Sequence, residues 1–471
     1  MSYKWTYLIV VLGVSVCAQN KQILYDFTDI PQALIQNPGA KINYERHFGV
    51  PLFSQVHFNA GSSGANVYDI FSDDGRDINV KIRDAIFSMT NNDYVVVNQQ
   101  LEIINGGWRK NETTYYSYGL YEELDVIGYF PKDVAVLAWE GNANYINESF
   151  SLSDVNFKGE LISVIHFGIN KEVNKKLTFG VRGKLYSSIF NVHSTNNRGT
   201  FTTRLSNTGN NYYEHVLQNL DGTIKTSGLA SLLEDENSDP SKDIKKIIPR
   251  LFFSGNFGLG VDLGFTIQPN DQTKITASML DFGAIFHSKD VENYNLNGSY
   301  TFEGIGLVFP PLLNNEGTTP YWENFEQELD ENVKVDTLTN NYVTWRSTKF
   351  NASYKYSFGE KGGNDCNCLN TSDDDYQNAV GVQLFSIFRP KRPQIAATAY
   401  YYRRLFDALR LKLTYTVDDY SFSNVGLGMS MHFGKVNLYG MVDNLLQMQN
   451  ISKAQSVSLQ LGINLIFDTN D

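Results

Sequence analysis

Charged side chains occupy the polar positions of several segments in which apolar residues alternate with period two. In KLTFGVRGKLYSSIF (176–190), Leu177, Phe179 and Val181 form one face, and Arg182 and Lys184 fall on the other. Successive side chains of a strand point to opposite faces, so such charges share one side of a sheet. The candidate ligand-binding residues of this inner face are Arg182, Lys184, Asp262, Asp281, Lys349, Lys355, Arg410 and Lys412. Most are basic, which predicts either an interior that attracts carboxylate or phosphate groups or an internal lattice of salt bridges.

Asp281 lies where the alternation changes phase. In the segment before it, Ala277 and Met279 carry the apolar face at odd positions, whereas in SMLDFGAIF (278–286) Phe282 and Phe286 carry it at even positions. One extra residue near Met279–Leu280 predicts a β-bulge that re-aims Asp281. The bulge could serve a ligand path or could only bend the strand.

Two cysteines, Cys366 and Cys368, lie close together in NDCNCLN (364–370). A disulfide between them closes a very tight ring and is strained. Two thiolates without a nearby histidine fall short of the four ligands that zinc normally takes. The pair is therefore a disulfide candidate, with thiol exchange as the alternative, and no metal site is expected.

The common enzyme signatures are missing from the sequence. There is no GxSxG and no HExxH, and GEKGGN (359–364) lacks the GK[ST] ending of a phosphate-binding loop. The seven histidines are scattered. We therefore expect a protein that is not an enzyme and needs no cofactor.

Composition narrows the class of protein. Aromatic residues make up 13% of the 471 residues and charged residues 19%, with a net charge of −12. An acidic chain without clustered Lys and Arg is a poor partner for nucleic acid. The mean hydropathy of −0.30 argues against a bundle of membrane-spanning helices.

The elements that position the inner face are long alternating strands. Segments such as 250–267, 408–417 and 425–433 alternate over about ten residues, the length at which a tilted strand crosses a bilayer. We predict an all-β transmembrane antiparallel β-barrel of about 14 strands; a secreted β-sandwich is the alternative. The terminal SVSLQLGINLIFDTND (456–471) is the predicted closing strand, because a sheet in lipid can leave no open edge.

The N-terminal MSYKWTYLIVVLGVSVCAQN has the layout of a cleaved secretory signal, residues 1–18. A lipoprotein would need a small residue before Cys17, where Val16 stands. The remaining 19–471 is predicted to be one barrel domain, exported to the bacterial outer membrane. Residues 19–41 would be a periplasmic or plug segment.

Two short helices and one long loop interrupt the strand pattern. Helices are predicted at 77–89 and 131–142, either lining or plugging the lumen or lying beside the barrel. The acidic stretch 309–341 is a predicted extracellular loop, and 359–377 a periplasmic connection.

Several motifs, in their order along the chain, resemble a Bacteroidota family of outer-membrane barrels with no assigned function. They include IQNPGAKINYERHFGVPLF at the start of 35–71, AWEGN (138–142), SMLDFGAIF, the Cys-x-Cys and YGMVDNLL (439–446). That family is similar in layout to FadL-type transporters of hydrophobic compounds and to the PorV and PorP/SprF barrels of type IX secretion and gliding. In FadL-type barrels a strand kink can open a lateral path, which makes the segment at 279–283 a candidate exit.

The resemblance implies two functions. One is a scaffold or accessory component of a surface, secretion or gliding assembly, with a stable protein partner. The alternative is a passive transporter of hydrophobic or amphipathic small molecules. With either function, the protein would be embedded in the lipid of the outer membrane. Fold alone does not decide between them.

Overall fold

The computed structural model describes residues 21–206, 212–233, 248–251, 255–303, 327–328, 331–361, 376–406, 408–418 and 420–467. Residues 1–18, the predicted signal, lie outside these ranges, as do Cys366 and Cys368. The described chain is dominated by antiparallel strands. The helices in it are short, and none has both the length and the apolar character needed to cross a membrane.

The strands follow one another closely along the chain. Their bounds are β1 Arg46–Gly49, β2 Val56–Ser62, β3 Tyr94–Asn111, β4 Thr114–Tyr129, β5 Ser149–Ser151, β6 Phe157–Asn174, β7 Leu177–Ser194, β8 Arg198–Leu205, β9 Tyr213–Ser227, β10 Asn256–Asn270, β11 Thr273–His287, β12 Val291–Phe302, β13 Val333–Leu338, β14 Tyr342–Trp345, β15 Lys349–Lys361, β16 Tyr376–Ile387, β17 Gln394–Phe406, β18 Leu409–Val417, β19 Asn424–Phe433, β20 Val436–Val442 and β21 Ser456–Phe467.

The sheet closes on itself through its last strand. β21 pairs with β20 on one side and with β1 and β2 on the other, and β1 and β2 pair in turn with β3. β1 with β2, and β14 with β15, each act as one interrupted strand, so the wall has 14 strands. The predicted closed antiparallel barrel and its closing strand are confirmed.

Side chains alternate across the wall as the sequence pattern requires. In β21, Leu459 and Leu461 face outward and are about two-fifths exposed, whereas Gln460 and Asn464 face inward and are buried. The outer surface of the barrel is thus apolar and the interior polar.

The wall has a short-turn end and a long-connection end. Arg46 pairs with Phe467 at the short-turn end, where 112–113, 175–176 and 271–272 connect neighbouring strands. β15 ends and β16 begins at this end too.

A small additional sheet extends the barrel at the long-connection end. β8, β9 and β12 pair in sequence, β5 joins β8, and β13 joins β12. β9 also pairs with the end of β7 through Asn191–Ser194. The predicted loop 309–341 ends in β13, while 309–326 lies outside the described residues.

One short helix of the described chain spans Ala230–Leu233 (α5), and other helices lie in the connections and the N-terminal segment. Their bounds are α1 Ala33–Gln36, α2 Val67–Phe71, α3 Ile78–Ser88, α4 Lys132–Glu140 and the 3-10 helix Leu445–Lys453. Asn66 caps α2 with a capping box, and the side chain of Asp77 caps α3. In α3 only Lys81 and Ala85 are buried, so α3 lies at the surface and does not fill the lumen. α4 likewise buries only Val136.

The lumen is filled instead by residues 21–45, which we call the plug segment. Every residue from 30 to 40 is buried, and so are most of those from 21 to 29. Ile23, Leu24 and Phe27 pack against Tyr439 and Met441 of the wall. The sequence left open whether this segment was periplasmic or a plug; it lies inside the barrel.

Candidate functional site

The eight predicted inner-face residues all line the interior of the barrel. Six of them, Arg182, Lys184, Asp262, Asp281, Lys355 and Lys412, are at most 4% exposed. The side chains of Lys349 and Arg410 are slightly more open, at 12% and 17%. The period-two pattern therefore placed each of them on the correct face.

Asp262, Asp281 and three neighbouring cations form one connected cluster of ion pairs. The Nζ of Lys184 lies 2.9 Å from Oδ2 of Asp262 and 2.6 Å from Oδ1 of Asp281. Lys349 reaches the other oxygen of Asp281 at 2.9 Å, and Arg182 approaches Asp262 at 3.4 Å. These ion pairs join four neighbouring strands, β7, β10, β11 and β15, along the inner face of the wall.

Three further residues, which sequence reasoning did not place, extend this cluster. Glu123 accepts from Lys349 at 3.2 Å and from Arg346 at 3.1 Å, and Arg346 also pairs with Glu160. Glu123 shares the inward phase of TYYSYGLYEELDVIGY with the buried Tyr121, a signal that period-two reading could have used. Arg346 lies between β14 and β15, where no periodicity marks its direction.

The remaining basic residues hold the plug segment. Arg182 donates to the carbonyl oxygens of Leu34 at 2.6 Å and Ile35 at 3.2 Å. Lys412 donates to the carbonyl oxygen of Tyr25 at 2.6 Å. The basic side chains of the interior thus donate to backbone carbonyl oxygens as well as to carboxylates.

Acidic side chains of the plug segment complete the contact with the wall. Asp26 pairs with Lys274 of β11 at 3.1 Å, and Asp29 pairs with Arg410 at 2.5 Å. The Lys355 ammonium lies 5.2 Å from the ring centre of Tyr402, whose hydroxyl donates to Asp29. Of the two predicted alternatives for the lumen, the described residues contain the salt-bridge lattice, and part of it belongs to the plug segment.

The predicted bulge is present in β11. Leu263 pairs with Met279 and Val261 with Phe282, so two residues, Leu280 and Asp281, oppose Asp262. Asp281 has a φ of +58° and its backbone N–H donates to Asp262 at 2.7 Å. Both bulge residues, Leu280 and Asp281, are buried.

An apolar depression of about 600 Å³ lies in the wall next to this bulge. Its floor includes Ala277 and Ala352, which pair directly across β11 and β15. The larger outward side chains around them are Phe179, Leu263, Phe265, Met279, Phe350, Leu384 and Ile395. Small side chains flanked by large ones leave a hollow on the outer surface that suits an apolar molecule.

Only one layer of the wall separates this depression from the plug segment. Ser278, adjacent to Ala277, faces inward and donates to the carbonyl oxygen of Gln36 at 2.6 Å. Asn351, adjacent to Ala352, donates to Ser278 at 3.2 Å. The depression and the plug segment therefore share the same strands.

The long-connection end of the lumen is narrowed by two connections that fold inward. Arg389 donates to both carboxylate oxygens of Asp125, at 2.6 and 3.0 Å. Tyr420 packs edge-on against Tyr94. In the ranges that the structure describes, no three His, Cys, Asp or Glu side chains come together as metal ligands.

No curated protein matches the chain. Among solved structures, the chain is similar to the CymD monoaromatic hydrocarbon channel, with 9% identity and a TM-score of 0.40 over 94% of this chain and 95% of that one. For the Pseudomonas putida toluene transporter TodX, the identity is 11% and the TM-score is 0.37, over 96% of this chain and 94% of that one. For a Pseudomonas aeruginosa FadL homologue, the identity is 9% and the TM-score is 0.41, over 93% of this chain and 94% of that one. Sequence identities and TM-scores this low do not indicate the function of this chain.

The model of one protein family, described as a family of unknown function (DUF5723), matches residues 38–443. The match begins inside the plug segment, covers most of the barrel wall and ends at the residue after β20. The chain belongs to that family.

Proposed function

We propose that this protein is an outer-membrane barrel that conducts small apolar or amphipathic molecules and is closed by its own plug segment. The outer-membrane placement rests on the outward face of the wall. Leu413, Leu427 and Leu461 are between 37% and 47% exposed on three different strands. An apolar outer band around a polar interior is the pattern of barrels that sit in lipid.

The observation that carries the conduit is the apolar depression. It opens on the surface that we place in lipid, where an apolar molecule can arrive by diffusion in the bilayer. Its floor strands, β11 and β15, also carry Ser278, which donates to Gln36 of the plug segment, and Asn351, which donates to Ser278. A molecule seated there would press on the same strands that hold the plug segment.

Passage through the lumen requires the plug segment to move, because residues 30–40 are buried between the walls. Much of its attachment consists of hydrogen bonds and ion pairs, such as Asp26 with Lys274 and Tyr25 with Lys412. Such contacts can be exchanged for water or for polar groups of a ligand more readily than a continuous apolar core.

The test compares two tryptophan variants on the outward face. Ala352→Trp fills the floor of the depression, whereas Ala399→Trp adds the same ring to an exposed, outward alanine of β17 outside it. Uptake of tritiated oleate and of labelled toluene is measured in cells that make the unchanged protein, in cells that make each variant, and in cells that lack the protein. We expect uptake to fall with Ala352→Trp and with deletion but not with Ala399→Trp. Equal uptake in all four strains contradicts the conduit.

A scaffold role is the second candidate, favoured by the additional sheet. β5, β8, β9, β12 and β13 project beyond the wall and present apolar side chains such as Val335, which is 60% exposed. A secretion, gliding or surface assembly could dock there. Native mass spectrometry of protein extracted gently from its own membrane separates the two: a stoichiometric protein partner supports the scaffold, and a single chain carrying a small apolar molecule supports the conduit.

A further inference from the structure

Two buried oxygen atoms, Oδ1 of Asp443 and Oγ1 of Thr414, converge where β18, β19 and β20 reach the long-connection end. Asp443 directly follows β20 and is only 5% exposed. Within the described part of the chain, no hydrogen bond or ion pair reaches its carboxylate. Burying a carboxylate without a partner is costly, and a bound cation would offset that cost.

The hydroxyl of Thr414 points at the same place. A Cβ built on Gly426 of β19 would lie 2.4 Å from Oδ1 of Asp443 and 2.6 Å from Oγ1 of Thr414. The two oxygens thus converge in front of a glycine whose missing side chain leaves room for them. Thr414 is 1% exposed, and its Oγ1 has no hydrogen-bond partner among the described residues.

The next residue, Asn444, carries another buried oxygen, and its orientation is fixed. Its Nδ2 donates to Oε1 of Gln447 at 2.9 Å and to the carbonyl oxygen of Ser456 at 3.0 Å, so the amide cannot be turned over. Oδ1 is left as a buried acceptor with no described donor. The backbone at Asn444 is left-handed, with a φ of +58°, a conformation that asparagine tolerates.

A second carboxylate, that of Asp418, is the charged neighbour of Asp443. Its Oδ1 accepts from the backbone N–H groups of Tyr420 and Ser421, both at 2.9 Å, which fixes the 418–423 connection. Burial, and then the charge of Asp418, raise the pKa of Asp443 to about 7. The inward cation two positions before Thr414, Lys412, is turned to the plug segment and donates to Tyr25.

We propose that Asp443, Asp418, Asn444 and Thr414 form a binding site for Ca²⁺. All four offer oxygen, and no thiolate or imidazole is among them, which selects a hard cation over zinc or copper. Ca²⁺ accepts amide and hydroxyl oxygens beside carboxylates and tolerates irregular geometry, whereas Mg²⁺ requires a near-ideal octahedron. Among the described residues, no third Asp or Glu and no His or Cys joins these two carboxylates. Two carboxylates suffice for such a site, because amide and hydroxyl oxygens supply the other ligands.

The site also gives a role to the motif YGMVDNLL (439–446). Asp443 and Asn444 are its central Asp-Asn pair, and the side chain of Ile23, in the plug segment, lies against Gly426. The cation would therefore bind directly beside the plug segment and join the ends of three strands. This holds whether the barrel is a conduit or a scaffold.

The experiment uses the full-length protein, folded in detergent and stripped with EDTA, titrated with CaCl₂ and separately with MgCl₂ in a calorimeter. We expect one Ca²⁺ per chain, bound more tightly than Mg²⁺. Asp443→Asn keeps the shape of the side chain and removes its charge; it should weaken Ca²⁺ binding by about 100-fold or more. Thr414→Val should weaken it by about 10-fold.

Thr266→Val is the matched control. Thr266 is 2% exposed in β10 and also has a hydroxyl without a described partner, but it lies on another part of the wall. We expect it to bind Ca²⁺ like the unchanged protein. Absence of Ca²⁺ binding at millimolar concentration, or equal binding by Asp443→Asn, Thr414→Val and Thr266→Val, overturns the proposal. Because Thr414→Val changes no charge, it still tests the site if Asp443→Asn fails to fold.

Discussion

Asp125 and Arg389 form a bidentate pair that spans the lumen. Asp125 belongs to β4, and Arg389 to the connection between β16 and β17, which lies nearly opposite around the wall. Both side chains are 4% exposed. Desolvating two charges is costly, and the cost is offset only while both partners are present. The same reasoning applies to the ion pairs around Asp281.

Replacing Asp125 by Asn should therefore destabilise the barrel by about 3–5 kcal/mol, because Arg389 keeps a buried charge without its carboxylate. The free energy of unfolding is measured by urea titration in detergent micelles. The control is Asp154→Asn. Asp154 pairs with Lys391 in the same connection at 3.3 Å, but these side chains are 15% and 17% exposed. Removing this less buried pair should cost less, about 1 kcal/mol. Similar losses for both variants would mean that burial does not govern the strength of these pairs.

Where residues 37–39 of the plug segment pass the wall, they lie against glycines of its strands. A Cβ on Gly180 of β7 would lie 1.9 Å from the carbonyl oxygen of Pro38, and one on Gly264 would lie 2.1 Å from Oδ1 of Asn37. The backbone of the plug segment therefore runs against the backbone of the wall. Asn170 donates to Pro38 and Ala40, both at 2.8 Å, and anchors this passage.

Gly180→Ala should push the plug segment out of its seat while the barrel still closes. Overpacking of this kind costs about 1–3 kcal/mol, so the open state should be populated about 5- to 150-fold more. The measurement is the rate of trypsin cleavage after Lys21 and Lys41 in folded protein, which follows the population of the open form.

Gly183→Ala, three residues along the same strand, is the control, because a Cβ there meets nothing within 4 Å. It should be cleaved at the rate of the unchanged protein. If Gly180→Ala is cleaved no faster than Gly183→Ala, the close contact with Pro38 does not hold the plug segment in place.

The whole molecule is a polar, filled cylinder with an apolar outer surface. Among the described strands, the closed ladder leaves no open edge in the wall, since β21 joins β20 to β1 and β2. An apolar exterior of this extent would drive aggregation in water and is stable in lipid. The outer-membrane placement can therefore be tested on the protein itself.

Leu461 lies near the middle of β21, faces outward and is 41% exposed. If the wall is embedded in lipid, Leu461→Arg should cost about 2–4 kcal/mol, because a charge at the bilayer midplane is poorly solvated. Leu446→Arg is the control: Leu446 is 65% exposed in the 3-10 helix at the long-connection end, where the expected cost is about 0–1 kcal/mol. Unfolding is followed by guanidinium titration in phospholipid bilayers. A neutral Leu461→Arg would contradict a lipid-facing wall.

Period two in the sequence determined the strands, their faces and the closing role of 456–467. It also placed Arg182, Lys184, Asp262 and Lys412 inside, because a strand's two faces are fixed by the backbone pleat alone. It located the bulge at Asp281 for the same reason. These are local properties, and a single segment carries each of them.

Tertiary structure alone decided which groups meet. Glu123 and Arg346 are 223 positions apart and pair only because the sheet closes, which no local period records. The plug segment has no regular period of its own, so its sequence could not say whether it lay in the lumen or outside. The convergence of Asp443 with Thr414 likewise depends on the register between β18, β19 and β20 and on the space in front of Gly426, which packing rather than sequence pattern fixes.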